Sequence, residues 1–293
     1  MSKIIITGAN GQLGRAMQKE FSGSFEHELI LTDVGPAVSG AIRNLDITKV
    51  DEVLSFCRAE KPDIIVNCAA YTAVDRAESD WDNAYRINAV GPRNLAIASR
   101  ETGASLVHIS TDYVFNGEKP LTETYDEFDT PDPKGAYGKT KLAGEEFVKT
   151  FADRFFIFRT AWLYGDGKNF VKTMLRLSED HEEISVVCDQ VGPPTSAKEL
   201  ASAIISQMFT DNYGLFHGVC EGFASWAEFT EEIFRLTGKT TRVKHITAAE
   251  YGAAAPRPSN SRLTDYMLKL TSDHRFPDWH DALSAYLKEF GLL

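Results

Sequence analysis

The run Ile4-Ile5-Ile6-Thr7-Gly8-Ala9-Asn10-Gly11-Gln12-Leu13-Gly14 constrains the fold more than any other stretch of this chain. A β-branched segment passes into three glycines spaced by two residues and then into an amphipathic stretch, which reads as strand, tight turn and helix start. Each glycine has a separate reason: unusual backbone angles in the turn, close approach of the main chain to a pyrophosphate, and close packing of helix on strand. The helix start would then offer amides and a positive dipole end to phosphates. A glycine turn alone is weak evidence, but its place in the opening βα unit favours a dinucleotide cradle. On that reading Gly8, Asn10, Gly11, Gln12, Leu13 and Gly14 bind the cofactor.

The first half continues the alternation, with strands expected at Ile4 to Thr7, Leu29 to Asp33, Ile64 to Asn67, Leu106 to Asp112 and Phe155 to Thr160. Helices are expected at about 11–22, 48–60, 82–102 and 136–152, with Asp46 or Thr48 capping the second. This is an α/β pattern: a Rossmann-type doubly wound parallel sheet. From about residue 166 the alternation loosens, and the chain is expected to return to the sheet around Ile184 to Val187 and Leu215 to Val219. Further helices are expected at about 196–209, 224–237 and 279–290. The cofactor domain is thus 1–165 with about 182–220, and a smaller α+β substrate lobe is formed by about 166–181 and 221–293. The segment 116–134 reads as a solvated surface loop, with a lid as the alternative.

Asp33 ends the second strand, where a carboxylate would bind the ribose 2′-hydroxyl and repel a 2′-phosphate, favouring NADH. Arg15 and Arg43 are cations that could accept the phosphate instead, so NADPH and NADH both stay open. Asp46 is a candidate adenine wall or a helix cap, and Ala69 and Ala70 after Asn67 are small enough for a cofactor to approach.

Ser110-Thr111-Asp112 closes the Leu106 strand and points hydroxyls to the carboxyl edge of the sheet, where open α/β folds bind ligands. Tyr137 and Lys141 follow, four residues apart and so on one face of a helix. A second Tyr/Lys pair, Tyr164 and Lys168, encloses Gly165-Asp166-Gly167 and reads as a turn. The first pair is therefore the catalytic candidate. A phenol that exchanges a proton near neutrality needs a neighbouring cation, and Lys141 is expected to be that cation. Thr111 would orient a substrate oxygen, and Tyr137 would protonate it while a carbonyl carbon is reduced.

Charge limits the partners: 31 Lys plus Arg against 42 Asp plus Glu leave −11, which disfavours nucleic acid. No apolar run is long enough to span a membrane, and no leader is recognised, so the cytoplasm is the expected compartment. Cys57, Cys68, Cys188 and Cys220 lack metal-ligand spacing and read as reduced thiols.

Together these residues resemble the extended short-chain dehydrogenase/reductase superfamily and, within it, the dTDP-4-dehydrorhamnose reductase family. The blocks carrying the resemblance include Gly8 to Gly14, Ala70-Tyr71-Thr72-Ala73-Val74-Asp75, Ser110 to Phe115, Tyr137 to Glu145, Arg159 to Tyr164, and Arg257-Pro258-Ser259-Asn260-Ser261-Arg262-Leu263. The resemblance implies a triad of Thr111, Tyr137 and Lys141, reducing the C4 ketone of a dTDP-linked 4-keto-6-deoxysugar with NADPH or NADH. It also implies that Val74 and Trp162 contact the deoxysugar and that the Arg257 to Leu263 block, with Asn260, helps hold the nucleotide; Trp226, Arg257 and Arg262 are candidates to read the base, Asp112 is taken with the substrate residues, and Tyr71 with the cofactor residues. Asp112 is followed by Tyr113 where related dehydratases carry a second acid, so dehydration is disfavoured. A 4-epimerase, a reductase of another nucleotide-linked deoxysugar, or a non-catalytic regulatory subunit remain as alternatives. A homodimer is left open; no metal is carried over, because Ala16-Met17 offers no carboxylate after the glycine motif.

Overall fold

The computed structural model describes residues 1–22, 26–34 and 41–293. The chain runs β1 (Ser2–Thr7), α1 (Gln12–Glu20), β2 (His27–Asp33), β3 (Arg43–Asn44), α2 (Val50–Glu60), β4 (Ile64–Asn67), then short α3 (Val74–Ala77) and α4 (Trp81–Tyr85). A π-helical turn at Arg86–Val90 leads into α5 (Gly91–Thr102), followed by β5 (Ser105–Thr111), α6 (Ala136–Phe151), β6 (Phe155–Thr160) and β7 (Leu163–Tyr164). The later part comprises α7 (Phe170–Asp180), β8 (Glu183–Val187), β9 (Val191–Gly192), β10 (Thr195–Ser196), α8 (Ala197–Met208) and β11 (Gly214–His217). It ends with β12 (Ala224–Ser225), α9 (Trp226–Thr237), β13 (Arg242–Ile246), α10 (Ala248–Tyr251), α11 (Tyr266–Thr271) and α12 (Trp279–Glu289).

Seven strands form a parallel sheet in the order β11-β6-β5-β4-β1-β2-β3. Its central strands are apolar on both faces because helices cover both, and Ile4, Ile5, Ile6, Ile65 and Val66 are fully buried. Strand order reverses between β1 and β4, which opens a crevice at their carboxyl ends. Thr7 is level with Asn67 across that point and donates to its side chain at 2.8 Å, closing the floor of the crevice.

Three expectations need correction. Glu183–Val187 does not join the large sheet; it pairs in parallel with Arg242–Ile246 as a separate two-stranded sheet, so only Gly214–His217 returns. Strand β8 alternates exposed and buried residues, a half-solvated pattern that the sheet's interior would not accept. The helix expected over 82–102 is interrupted by the π turn. Helix α2 has Lys49 at its N-cap with no side-chain cap; Asp46 instead accepts from the amide and hydroxyl of Thr48, at 3.0 and 2.7 Å.

The 116–134 loop is tied down. Asn260 Nδ2 donates to the carbonyls of Lys119, Pro120 and Glu123, and Tyr125 exchanges main-chain bonds with Arg262 and Thr264. Among the described residues, no helix is long and apolar enough to cross a membrane.

Candidate active site

The glycine turn has the geometry its sequence implies. Gly8 adopts φ +66°, and a β-carbon there would lie 2.6 Å from the Ala69 amide nitrogen; one at Gly14 would lie 2.4 Å from the Gly8 carbonyl oxygen. Any larger residue would push β1, α1 and the loop after β4 apart. Asp33 supports this turn, accepting from the amides of Asn10 at 2.9 Å and Val34 at 2.8 Å. Gly8, Asn10, Gly11, Asp33, Asp46, Ala69 and Ala70 line a groove of about 510 Å³. Neither expected cation lies in it: Arg43 pairs with Glu60 at 2.8 Å over the Phe56 ring, and Arg15 turns toward Asp166 at 3.4 Å.

The groove continues into a cleft of about 680 Å³ between the sheet edge and the C-terminal lobe. Gln12, Leu13, Val74, Thr111, Asp112, Tyr137, Lys141, Trp162 and Trp226 all face it, so most of the sequence-derived cofactor and substrate residues meet in one space. Tyr137 and Lys141 stand one turn apart on α6, as the i, i+4 spacing requires. By contrast Tyr164 is buried against Tyr286 and Phe229 while Lys168 faces the cleft, so the second pair shares no face.

Burial dominates the electrostatics. The Tyr137 phenol is pushed up to about 12 by desolvation and by the nearby Asp112 carboxylate, with the Thr111 hydroxyl opposing the shift. Lys141 is lowered to about 8 by burial, against the pull of Glu145, and its Nζ donates to the Ile109 carbonyl at 2.5 Å. That contact holds the Lys141 ammonium on strand β5. Asp112 is raised to about 6 by burial, although the hydroxyls of Ser261, at 2.6 Å, and Thr111, at 2.9 Å, both donate to it. The Thr111 oxygen also accepts from the Tyr113 amide at 3.3 Å.

Around Lys141 on α6 lies a network that motif reading did not single out. Glu145, fully buried, receives Arg159 through two bonds of 2.9 and 2.7 Å and the Ser110 hydroxyl at 2.5 Å. Its signal was present: Tyr137, Lys141 and Glu145 recur every four residues. Asn88, carried by the π turn, clamps both main-chain polar groups of Tyr71 and bonds Thr140. That clamp fixes the loop after β4 against α6. The Tyr71 hydroxyl itself reaches Asp80 at 3.0 Å and does not line the cleft.

At the wall of the cleft, Trp162 and Trp226 stack with centroids 3.5 Å apart and planes 6° apart. Trp162 has φ +51°, a left-handed conformation that a bulky residue adopts only under constraint. Gly192 makes room for it, since a β-carbon there would sit 2.8 Å from the indole. Behind Trp226 opens a pocket of about 270 Å³ walled by Phe170, Val186, Tyr251 and Arg257, whose guanidinium pairs with Asp75 at 2.9 Å. Asn260 and Arg262 line neither space: Asn260 is spent on the 116–134 loop, and Arg262 lies over the Phe223 ring.

Over residues 2–292 the chain matches the family described as RmlD substrate binding domain. A solved dTDP-4-dehydrorhamnose reductase from Clostridium acetobutylicum is 49% identical, with a TM-score of 0.93 and 99% of both chains covered. The Bacillus anthracis enzyme of the same name, solved in complex with NADP, is 42% identical with a TM-score of 0.90, covering 98% of this chain and 99% of that one. The spore coat polysaccharide biosynthesis protein SpsK of Bacillus subtilis is 39% identical over 99% of this chain and 98% of its own length.

Proposed function

The chain belongs to the RmlD substrate-binding-domain family, and on that premise we propose that it reduces the C4 ketone of dTDP-4-dehydro-L-rhamnose to dTDP-L-rhamnose, using NADPH or NADH. The observation that carries this reading is a single cleft in which the glycine cradle, Thr111, Tyr137, Lys141 and the Trp162–Trp226 stack all meet. Similarity to reductases of the same size and fold, one of them solved with NADP, supports it.

The residues fit a dinucleotide. Gly8 and Gly14 let the turn pack directly against the loop after β4 and against itself, with no room for a β-carbon, and the buried side-chain oxygens of Asn10 and Gln12 have no partner among the described residues. Asn10, Gly11, Gln12 and Leu13 would hold the diphosphate at the start of α1, and Asp33 the adenosine ribose. When bound, the nicotinamide supplies the hydride for the carbonyl carbon.

The protein's own part is proton delivery and placement. Tyr137, neutral across the physiological range, donates its proton to the developing alkoxide; an alcohol is a weaker acid than even this raised phenol, so the transfer runs downhill. Thr111 sits beside the phenol and helps to position the substrate oxygen, with Asp112 and the Tyr113 amide fixing its rotamer. Lys141, charged below its depressed value, offsets the phenolate left behind once a ligand orders the cleft. Val74 and the indole stack contact the apolar face of the deoxysugar, while Arg257 in the adjoining pocket meets the nucleotide diphosphate.

The test is consumption of NADPH and NADH against a panel of dTDP-linked 4-keto-6-deoxysugars, with the product's configuration determined. Reduction of dTDP-4-dehydro-L-rhamnose with rhamnose stereochemistry is expected. Turnover confined to another sugar, or epimerisation without net cofactor oxidation, would refute the assignment.

A further inference from the structure

Three cations line the central cleft: Arg15, Lys141 and Lys168. Arg15 is engaged by Asp166 and Lys141 by the Ile109 carbonyl. Lys168 is exposed and has no hydrogen bond or ion pair among the described residues. A lone surface lysine would mean little, but this one is presented by a built loop. The Gly165 carbonyl accepts from Asn169 Nδ2 at 2.6 Å and from the Tyr286 hydroxyl at 3.2 Å, and the Gly167 carbonyl accepts from Asn169 Nδ2 at 3.3 Å. Asp166 is held from two sides, by Arg15 and by Lys172 at 3.6 Å.

The loop leans on the first turn of α1. A β-carbon at Gly167, which has φ +121°, would lie 3.7 Å from Gln12 Cγ and 3.8 Å from Arg15 Nη1. Lys168 therefore lines the cleft beside the helix start that, on the function proposed above, faces the cofactor's diphosphate, whereas Arg257 occupies the separate pocket behind Trp226. In a protein of net charge −11, an unneutralised cation at this point offsets a field that otherwise opposes anion binding.

We propose that Lys168, held on the Gly165–Lys168 loop, is a second grip on the diphosphate of the nicotinamide cofactor, acting across the cleft from the amides of α1. The Asp166 pairs with Arg15 and Lys172 are its positioning contacts.

The experiment is direct binding without turnover: titration of NADPH, ADP-ribose and thymidine diphosphate into wild type, Lys168→Ala and Lys168→Arg, at two ionic strengths. Lys168→Ala should weaken NADPH and ADP-ribose by about tenfold at low salt, the size expected for one hydrogen bond to a charged group. Thymidine diphosphate should be unaffected, Lys168→Arg should restore most of the loss, and the salt dependence of cofactor binding should become shallower in the alanine variant. Unchanged affinity for both NADPH and ADP-ribose would overturn the proposal. So would a loss confined to thymidine diphosphate, which would move the lysine to the other ligand.

Discussion

The indole of Trp162, on the strand side of the cleft, stacks face to face on that of Trp226, the first residue of α9, with only 3.5 Å between centroids. This contact joins the sheet to the C-terminal lobe at the point where the cleft meets the Arg257 pocket. The left-handed backbone at Trp162 is stabilised by this stack and by the space left at Gly192.

Removing half of the stack should therefore act on substrate more than on cofactor. Trp226→Ala is expected to raise KM for the dTDP-sugar by about tenfold, in line with the loss of roughly 1 kcal/mol of aromatic pairing plus buried area. NADPH affinity, measured by fluorescence titration, should stay within about twofold. Gly192→Ala should give a smaller effect of the same kind, because it displaces the same ring.

Lys141 makes a claim about stability and pH together. Its value in the folded protein, about 8, lies below the ordinary lysine value of 10.5. Between those limits the unfolded chain binds the extra proton, so stability rises with pH over that window and the charged lysine is a cost at pH 7. A shift of this size corresponds to at most about 3 kcal/mol. Lys141→Met should therefore be more stable at pH 7, by about 1–3 kcal/mol in denaturant melts, and should lose the rise above pH 8, while turnover collapses.

The Glu145–Arg159 pair should behave in the opposite way. Both side chains are buried, and Glu145→Gln would leave an uncompensated guanidinium. A destabilisation of about 3–5 kcal/mol is expected. Replacing both partners with apolar residues of similar size should recover much of it, as a chemical-denaturation cycle would reveal.

What the sequence made legible was local. The spacing of Gly8, Gly11 and Gly14, and of Tyr137 and Lys141, encodes geometry within one turn or one helix: Gly8 and Gly11 line the groove, Gly11, Tyr137 and Lys141 line the cleft, and Gly14 lies packed against the Gly8 carbonyl without lining either. What it hid was contact across large separations. The apolar run around Ile184 looks like any buried strand, and its pairing with Arg242–Ile246 depends on a partner nearly sixty residues away in the chain. Asn260 stands in a block that looks ligand-binding, yet its amide is consumed by carbonyls 137 to 141 residues earlier. The glycine turn between Tyr164 and Lys168 means that the two need not share a face, which speaks to the pair and says nothing about the lysine alone, and only Lys168 lines the cleft.

The central claim is that Tyr137 delivers the proton within the shared cleft. It is tested most directly by Tyr137→Phe, measuring NADPH affinity and substrate-dependent NADPH oxidation on the same preparation. The account predicts affinity within about threefold of wild type and turnover lower by about 10²-fold or more, the scale of a lost general acid. Turnover near the wild-type rate with dTDP-4-dehydro-L-rhamnose would contradict it.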